Sequence, residues 1–244
     1  MPVVFNNMVD QEPLSIEIEP GISFFKNFLY QNFSFFKFQD SSGLNTIDFV
    51  PCYSLKNYKM DSTVTTSRLD ELIGEVHRAR LSYIEACSEL TPAQAAFKPD
   101  PESWSIVEVT EHLVWAEMGG INGIWQAAEG IRENRPVWIG EAVHHGLIIE
   151  EIIEKTWKEK ELVPESARPR WRGSLNYWIA SFSGCQLLLE ALGYELTGMD
   201  LEKVIYPHPI SGPLNVIQRM QFLRFHIQRH QKQMEKLISH PGNI

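Results

Sequence analysis

The feature that most constrains this chain is a series of helical patterns that runs from about residue 66 to residue 239. Apolar side chains recur every three or four residues in four long segments, so each segment has one apolar face. No convincing alternating strand pattern occurs between residues 60 and 244. Because such helices must bury their apolar faces against one another, the pattern predicts an all-α protein built as a four-helix bundle.

Start and stop signals set the bounds of the predicted helices. Ser67 with Asp70, and Ser105 with Glu108, have the spacing of capping boxes at the starts of the first two helices. A weaker amphipathic pattern predicts a further helix over residues 141–160, inside the long connection between the second and third helices. The four main helices are predicted over residues 67–90, 105–130, 175–192 and 213–239.

Residues 1–59 differ in composition from the rest of the chain. They hold nine of the 13 Phe and neither Trp nor Arg, and their aromatic stretch at residues 24–38 has no clean helical or strand period. We interpret residues 1–59 as an atypical N-terminal extension outside the functional domain, which we place at residues 60–244. One explanation is a reading frame started too far upstream. The alternative is a real N-terminal arm whose Phe side chains pack on the domain.

Composition and charge exclude several classes of partner. The formal net charge of −9 argues against nonspecific nucleic-acid binding, which needs a basic face. No apolar run reaches the roughly 18 residues that a membrane helix needs. The three cysteines are far apart and have no C-x-x-C spacing. We therefore expect neither a nucleic-acid partner nor a membrane partner, and we expect a reducing, cytoplasmic location.

The fourth predicted helix carries the most informative side chains, His226 and His230. Their H-x-x-x-H spacing places both imidazoles on one helix face, close enough to share a metal ion. His112 on the second helix also points inward, and three His ligands with one water are the usual form of an open catalytic zinc site. The spacing thus makes His112, His226 and His230 candidate metal ligands. The alternative is that hydrogen bonds in the core or at the surface satisfy these histidines.

Other polar side chains have two interpretations each. Glu111 and Glu117 flank His112 as metal-supporting or acid–base groups, or, more simply, as solvated helix charges. His208 lies either at the mouth of the bundle or in an ordinary loop, and Cys87 and Cys185 fit the pattern of small core residues. A basic cluster fits either an anionic substrate or, more simply, an exposed loop: Arg168, Arg170, Trp171 and Arg172.

Two segments together resemble the DinB/YfiT-like superfamily of metal-binding four-helix bundles. They are WSIVEVTEHLVWAE (104–117) and HPISGPLNVIQRMQFLRFHIQRHQKQM (208–234). The shared pattern is a Trp-Ser start to the second helix, one His in its second turn and H-x-x-x-H in the fourth helix, and it covers about residues 67–240. The resemblance implies that His112, His226 and His230 are the metal ligands. It also implies an up-down-down-up bundle with a long connection between the second and third helices.

The resemblance also implies a class of activity. Members bind divalent ions such as zinc, nickel or iron and often form homodimers, and some are transferases that use low-molecular-weight thiols. The chain is therefore expected to be a metal-dependent thiol S-transferase or hydrolase whose substrates are a small thiol and an electrophile. The alternative is a metal-stabilised bundle that serves binding or stress response without chemistry. The sequence shows no unambiguous general base that would separate the two.

Overall fold

The chain divides into two compact units, Met1–Val64 and Thr65–Ile244. In the first unit, β1 (Phe33–Gln39) pairs antiparallel with β2 (Asn45–Pro51). The rest of the predicted N-terminal extension lies outside the described residues, and its separation from the functional domain stays a prediction. The computed structural model describes residues 33–39, 45–51, 67–140, 143–158 and 162–243.

The second unit is mostly helical, which confirms the predicted all-α class. Among the described residues, no helix is both long and apolar enough to be a membrane span. In the described part of this unit there are six α-helices: α1 (Arg68–Ala86), α2 (Pro92–Ala96), α3 (Ile106–Arg132), α4 (Ile149–Thr156), α5 (Leu175–Glu195) and α6 (Val216–Ile238).

Side-chain caps begin the first long helices where the sequence predicts them. The Ser67 hydroxyl accepts a hydrogen bond from the Asp70 backbone N–H, and the Asp70 carboxylate accepts one from the Ser67 backbone N–H. Ser105 and Glu108 exchange the same pair of bonds at the start of α3. Both capping boxes are confirmed, and each satisfies N–H groups that a helix start leaves unpaired.

Some predicted helix bounds are wrong because tertiary contacts and caps intervene. The first long helix ends at Ala86, and Thr91 instead caps the short helix α2, which begins at Pro92. Among the described residues of this segment (143–158), the amphipathic pattern forms an α-helix only over Ile149–Thr156. The described part of the long connection between α3 and α5 is otherwise mainly irregular, with a 3-10 turn at Glu165–Ala167.

Two short strands precede the last helix, where the sequence shows no strand pattern. β3 (Ile205–His208) pairs antiparallel with β4 (Gly212–Asn215). Each strand has four residues and one proline, which is too short and irregular for a period of two to be visible. As a consequence the last helix begins three residues later than Pro213, and the Asn215 side chain caps it by accepting from the Gln218 N–H.

The four long helices contact one another as a closed ring of neighbours. α1 packs on α6, α6 on α3, α3 on α5 and α5 on α1. Their apolar faces meet in one core whose largest members include Tyr83, Trp178 and Phe182, and the Tyr83 and Phe182 rings meet edge to face at 5.6 Å. Burial of each such side chain contributes about 1.5–3 kcal/mol, so this core is the main source of stability.

A buried ion pair crosses the core. Arg80 of α1 donates hydrogen bonds to Glu117 of α3 and to Gln186 of α5. Arg80 is 1% exposed and Glu117 is 2% exposed. Burial raises the pKa of Glu117 to about 6, because the loss of water outweighs the attraction of Arg80. Arg80 thus links three helices, and the interpretation of its partner Glu117 as a solvated helix charge is wrong.

We expect Glu117→Ala to lower the free energy of unfolding by about 3–5 kcal/mol, because the charge of Arg80 would stay buried without its partner. Urea denaturation of purified protein measures the loss. Glu129→Ala is the matched control, since this carboxylate pairs with Arg132 at the surface of the same helix and its loss is expected to cost below about 1 kcal/mol. Equal losses in the two variants would contradict a structural role for the buried pair.

Candidate metal centre

The structure brings the three predicted histidines together between two helices. His112 lies in the second turn of α3, and His226 and His230 lie one turn apart on α6, which packs on α3. The Nε2 atom of His226 is 3.2 Å from Nε2 of His112 and 3.1 Å from Nε2 of His230. All three candidate ligand atoms lie within 4.8 Å of one another. His112 and His226 are buried, and His230 is half-buried.

Hydrogen bonds on the outer side of the rings determine which nitrogens face the centre. The Nδ1 atom of His112 lies 2.8 Å from the carbonyl oxygen of Ala167, and Nδ1 of His230 lies 2.8 Å from Oε1 of Gln233. Because these oxygens only accept, each Nδ1 carries the proton and each Nε2 keeps a lone pair. Two lone pairs therefore point towards Nε2 of His226.

The interior keeps these imidazoles uncharged. Removal from water is the largest cause that lowers the pKa of each of the three histidines, and it lowers the pKa of His230 to about 3. For His226 the neighbouring His230 and His112 lower the pKa further. A neutral imidazole is the form that binds a metal ion.

The donor set fits a divalent transition-metal ion. Two nitrogens that each lie about 2.0–2.1 Å from one tetrahedral ion are about 3.3 Å apart, and the two closest Nε2 pairs are separated by 3.1 and 3.2 Å. Imidazole nitrogen suits zinc, nickel and iron alike. Three protein ligands leave one or more coordination positions for water or a substrate, as in catalytic sites.

The carboxylate of Glu111 holds the chain segment that orients His112. Glu111 is 0% exposed, and it accepts hydrogen bonds from the backbone N–H groups of residues 170–172 at 2.7, 2.8 and 3.1 Å and from the Trp115 indole at 3.1 Å. Burial opposes its charge, but these bonds hold the pKa of Glu111 below its usual value. The segment begins three residues after Ala167, the hydrogen-bond partner of His112. Glu111 is therefore a supporting residue of the site, not a solvated helix charge.

Aromatic rings surround the histidine cluster. The Trp104 ring lies 5.1 Å from the His112 ring, Phe222 stacks on His226 at 5.3 Å, and Trp157 lies 6.4 Å from His226. These apolar neighbours lower the local dielectric, which strengthens any charge interaction at the site.

His208 lies next to the site but is not part of the cluster. It is in β3 rather than in a loop, and its ring lies 4.4 Å from the Phe222 ring. Its Nδ1 accepts hydrogen bonds from the backbone N–H groups of Ile210 and Ser211. Burial, and then the charge of Arg219, lower the pKa of His208 to about 3.

The side chains of the basic cluster and the cysteines are not among the candidate metal ligands. Arg170 lies over the Trp115 ring at 4.3 Å, and Arg168 pairs with Glu165 at the surface. Cys87 and Cys185 are buried and free, as expected of small core residues. Burial raises the pKa of each thiol to about 12, so both stay protonated at neutral pH.

Comparison with protein families identifies the fold family. The model of the DinB superfamily matches residues 75–234, which is more than half of the chain. The chain belongs to the DinB superfamily. The matched part of this DinB-superfamily chain contains His112, His226 and His230, and the match confirms the resemblance seen in the sequence. No curated protein and no solved structure matches the chain.

We expect Glu111→Ala to weaken zinc binding about 10- to 100-fold, because the Ala167 carbonyl would no longer be held against the His112 ring. Competition with a chromophoric chelator measures the affinity. Glu165→Ala is the control, since this side chain lies in the same connection and is 81% exposed. Wild-type zinc affinity in the Glu111 variant would show that the Glu111 carboxylate does not orient His112.

Proposed function

We propose that this DinB-superfamily protein is a divalent-metal-dependent enzyme, most simply a low-molecular-weight-thiol S-transferase or a hydrolase. The observation that carries the proposal is the convergence of three neutral imidazole Nε2 atoms at one buried point. Such a donor set occupies only part of the coordination sphere of an ion, and open positions are what distinguish a catalytic site from a structural one.

His112, His226 and His230 would hold zinc, nickel or iron. A bound ion of this kind acts as a Lewis acid and favours the thiolate or hydroxide form of a thiol or water. In S-transfer the thiolate sulfur bonds to the electrophilic carbon while the leaving group departs with its electron pair. The protein contributes by holding the imidazole tautomers through Ala167 and Gln233 and by limiting water around the rings.

We further propose the up-down-down-up order for the four long helices. Contacts between α1 and α6 advance along both helices in the same direction, whereas those of α1 with α5 and of α3 with α6 advance in opposite directions. The pairs between α1 and α6 are Glu75 with Arg224 and Ser82 with Gln231. Those between α1 and α5 are Ile73 with Gly193 and Arg80 with Gln186. Those between α3 and α6 are His112 with His230 and Gly120 with Arg219.

Metal content by plasma mass spectrometry tests the site. We expect about one divalent ion per chain in the wild type and none in His112→Ala, because two imidazoles alone bind an ion weakly. His145→Ala is the control, since this histidine is exposed in the connection between α3 and α5. Absence of metal from the reconstituted wild type would refute the metal centre.

Rate and melting measurements on the same purified protein distinguish an enzyme from a metal-stabilised binding bundle. For an enzyme, the zinc-loaded wild type accelerates the reaction of 2-mercaptoethanol with 1-chloro-2,4-dinitrobenzene or the hydrolysis of an ester, and His226→Ala returns the rate to the uncatalysed value. For a binding bundle, removal of the metal lowers the melting temperature, while neither reaction is accelerated in any form of the protein.

We also propose a homodimer that forms through α5. An apolar, small-residue stripe at spacings of three and four residues lies on the face of α5 opposite the core: Ala180, Gly184, Leu187, Ala191 and Tyr194. Leu187 is 54% exposed and Tyr194 is 70% exposed. Contiguous exposed apolar surface of this kind is typical of protein interfaces.

The free thiols of Cys87 and Cys185 support a reducing cytoplasm as the compartment.

Light scattering measures the dimer directly. We expect twice the mass of the 28.1 kDa chain for the wild type and the mass of one chain for Leu187→Glu, because a buried unpaired carboxylate is unfavourable. Leu81→Glu, which places the same charge at an equally exposed leucine of α1, is expected to leave the dimer intact. A monomeric wild type would contradict the proposal.

A further inference from the structure

The guanidinium of Arg219 is buried, and among the described residues no salt bridge pairs its charge. Arg219 lies in the first turns of α6 and is 4% exposed, and its Nε and Nη1 atoms are buried with no hydrogen-bond partner in the described part of the chain. Arginine is rarely buried in this way unless something pairs it, because an uncompensated charge in the interior is strongly unfavourable. Its position near the start of a helix, where the helix dipole disfavours a cation, adds to that cost.

Two glycines of α3 make room for the Arg219 side chain and for the Tyr206 ring. A Cβ atom on Gly120 would be 3.2 Å from Nη2 of Arg219, and one on Gly123 would be 2.5 Å from the Tyr206 ring. The Phe222 ring lies 5.7 Å from the guanidinium carbon on another side. None of these neighbours is an Asp or Glu carboxylate, so none of them forms an ion pair with Arg219.

A second hydrogen-bond donor packs on the same Phe222 ring. Nδ1 of His208 accepts hydrogen bonds from two backbone N–H groups, so the ring proton of His208 is on Nε2, which is therefore a donor. The hydrogen bonds of the β3–β4 hairpin thus determine the tautomer of His208. Arg219 and His208 are thus two donor groups that both lie next to the Phe222 ring.

These donors lie a short distance from the histidine cluster. Arg219 and His226 are separated by seven residues on one face of α6, which is about 10 Å along the helix axis. Phe222 lies between them, since its ring also stacks on His226 at 5.3 Å. The separation between the histidine cluster and Arg219 is therefore comparable to the length of a small molecule.

We propose that Arg219, assisted by Nε2–H of His208, binds a carboxylate of the substrate whose reacting atom is held at His112, His226 and His230. The inference rests on the proposed function and names its substrate class: a small anionic thiol or electrophile with a carboxylate about 10 Å from the reacting atom. The planar guanidinium matches a carboxylate with two parallel hydrogen bonds, and the anion supplies the charge that the protein does not.

Isothermal titration calorimetry on the zinc-loaded protein compares 8-mercaptooctanoate with 8-mercaptooctanol, two thiols of the same length. We expect the wild type to bind the carboxylate at least about tenfold more tightly, as a charge-assisted hydrogen bond predicts. In Arg219→Gln the two affinities are expected to be equal, with the affinity for the alcohol unchanged. Arg219→Lys, which keeps the charge but not the planar fork, is expected to give an intermediate ratio.

Arg224→Gln is the matched control. It removes the same charge from the same helix, but Arg224 already pairs with Glu75 and Glu150. The preference for the carboxylate is expected to persist in this variant. Equal affinities in the wild type, or a preference that survives Arg219→Gln, would overturn the subsite. Thermal melting gives a further test, because loss of an unpaired buried charge is expected to leave the melting temperature of Arg219→Gln unchanged or higher.

The two proposals fail in different ways. If zinc-loaded protein binds 8-mercaptooctanol through the three histidines but shows no preference for the carboxylate, the subsite is wrong and the proposed function stands. If the wild type takes up no metal, yet the metal-free protein prefers 8-mercaptooctanoate and loses that preference in Arg219→Gln, the subsite stands and the proposed function is wrong.

Discussion

Three neutral imidazoles meet at one point inside an apolar bundle, and the groups around the candidate site are arranged about that point. Hydrogen bonds to Ala167 and Gln233 place protons on the outer nitrogens, so lone pairs face inward. Buried lone pairs without a partner are unfavourable, and a cation beside these nitrogens would satisfy them. The helices supply the imidazoles, but the orientation of His112 depends on Ala167, which lies outside those helices.

The connections between helices hold several of the groups that surround the candidate site. Glu111 accepts hydrogen bonds from the three backbone N–H groups of residues 170–172 and so holds the segment that follows Ala167. The β3–β4 hairpin places His208 against Phe222, next to the histidine cluster. At the other side of the core, Arg80 joins α1 to α3 and α5. A mainly helical framework thus carries a site whose surroundings are built from irregular chain.

Sequence reasoning found the residues whose roles follow from local period and spacing. His226 and His230 are one turn apart on an inward stripe, and both capping boxes bond within four residues. It failed for Glu111 and Glu117, because a glutamate in an amphipathic helix has the same local pattern whether its partner is water or a distant group. The partners of Glu111 are backbone N–H groups about 60 residues further along the chain. The partner of Glu117 is Arg80, which lies 37 residues before it.

The sequence by itself determined the helical class, the starts of α1 and α3 and the three candidate ligands, since each depends on contacts within one or two helical turns. Only the tertiary structure decided that the candidate ligand nitrogens converge, that Glu111 supports them and that Nε and Nη1 of Arg219 lie buried without a hydrogen-bond partner in the described part of the chain. These features depend on how elements far apart in the chain pack together, and the periodicity of a single helix carries no information about the group that meets its face.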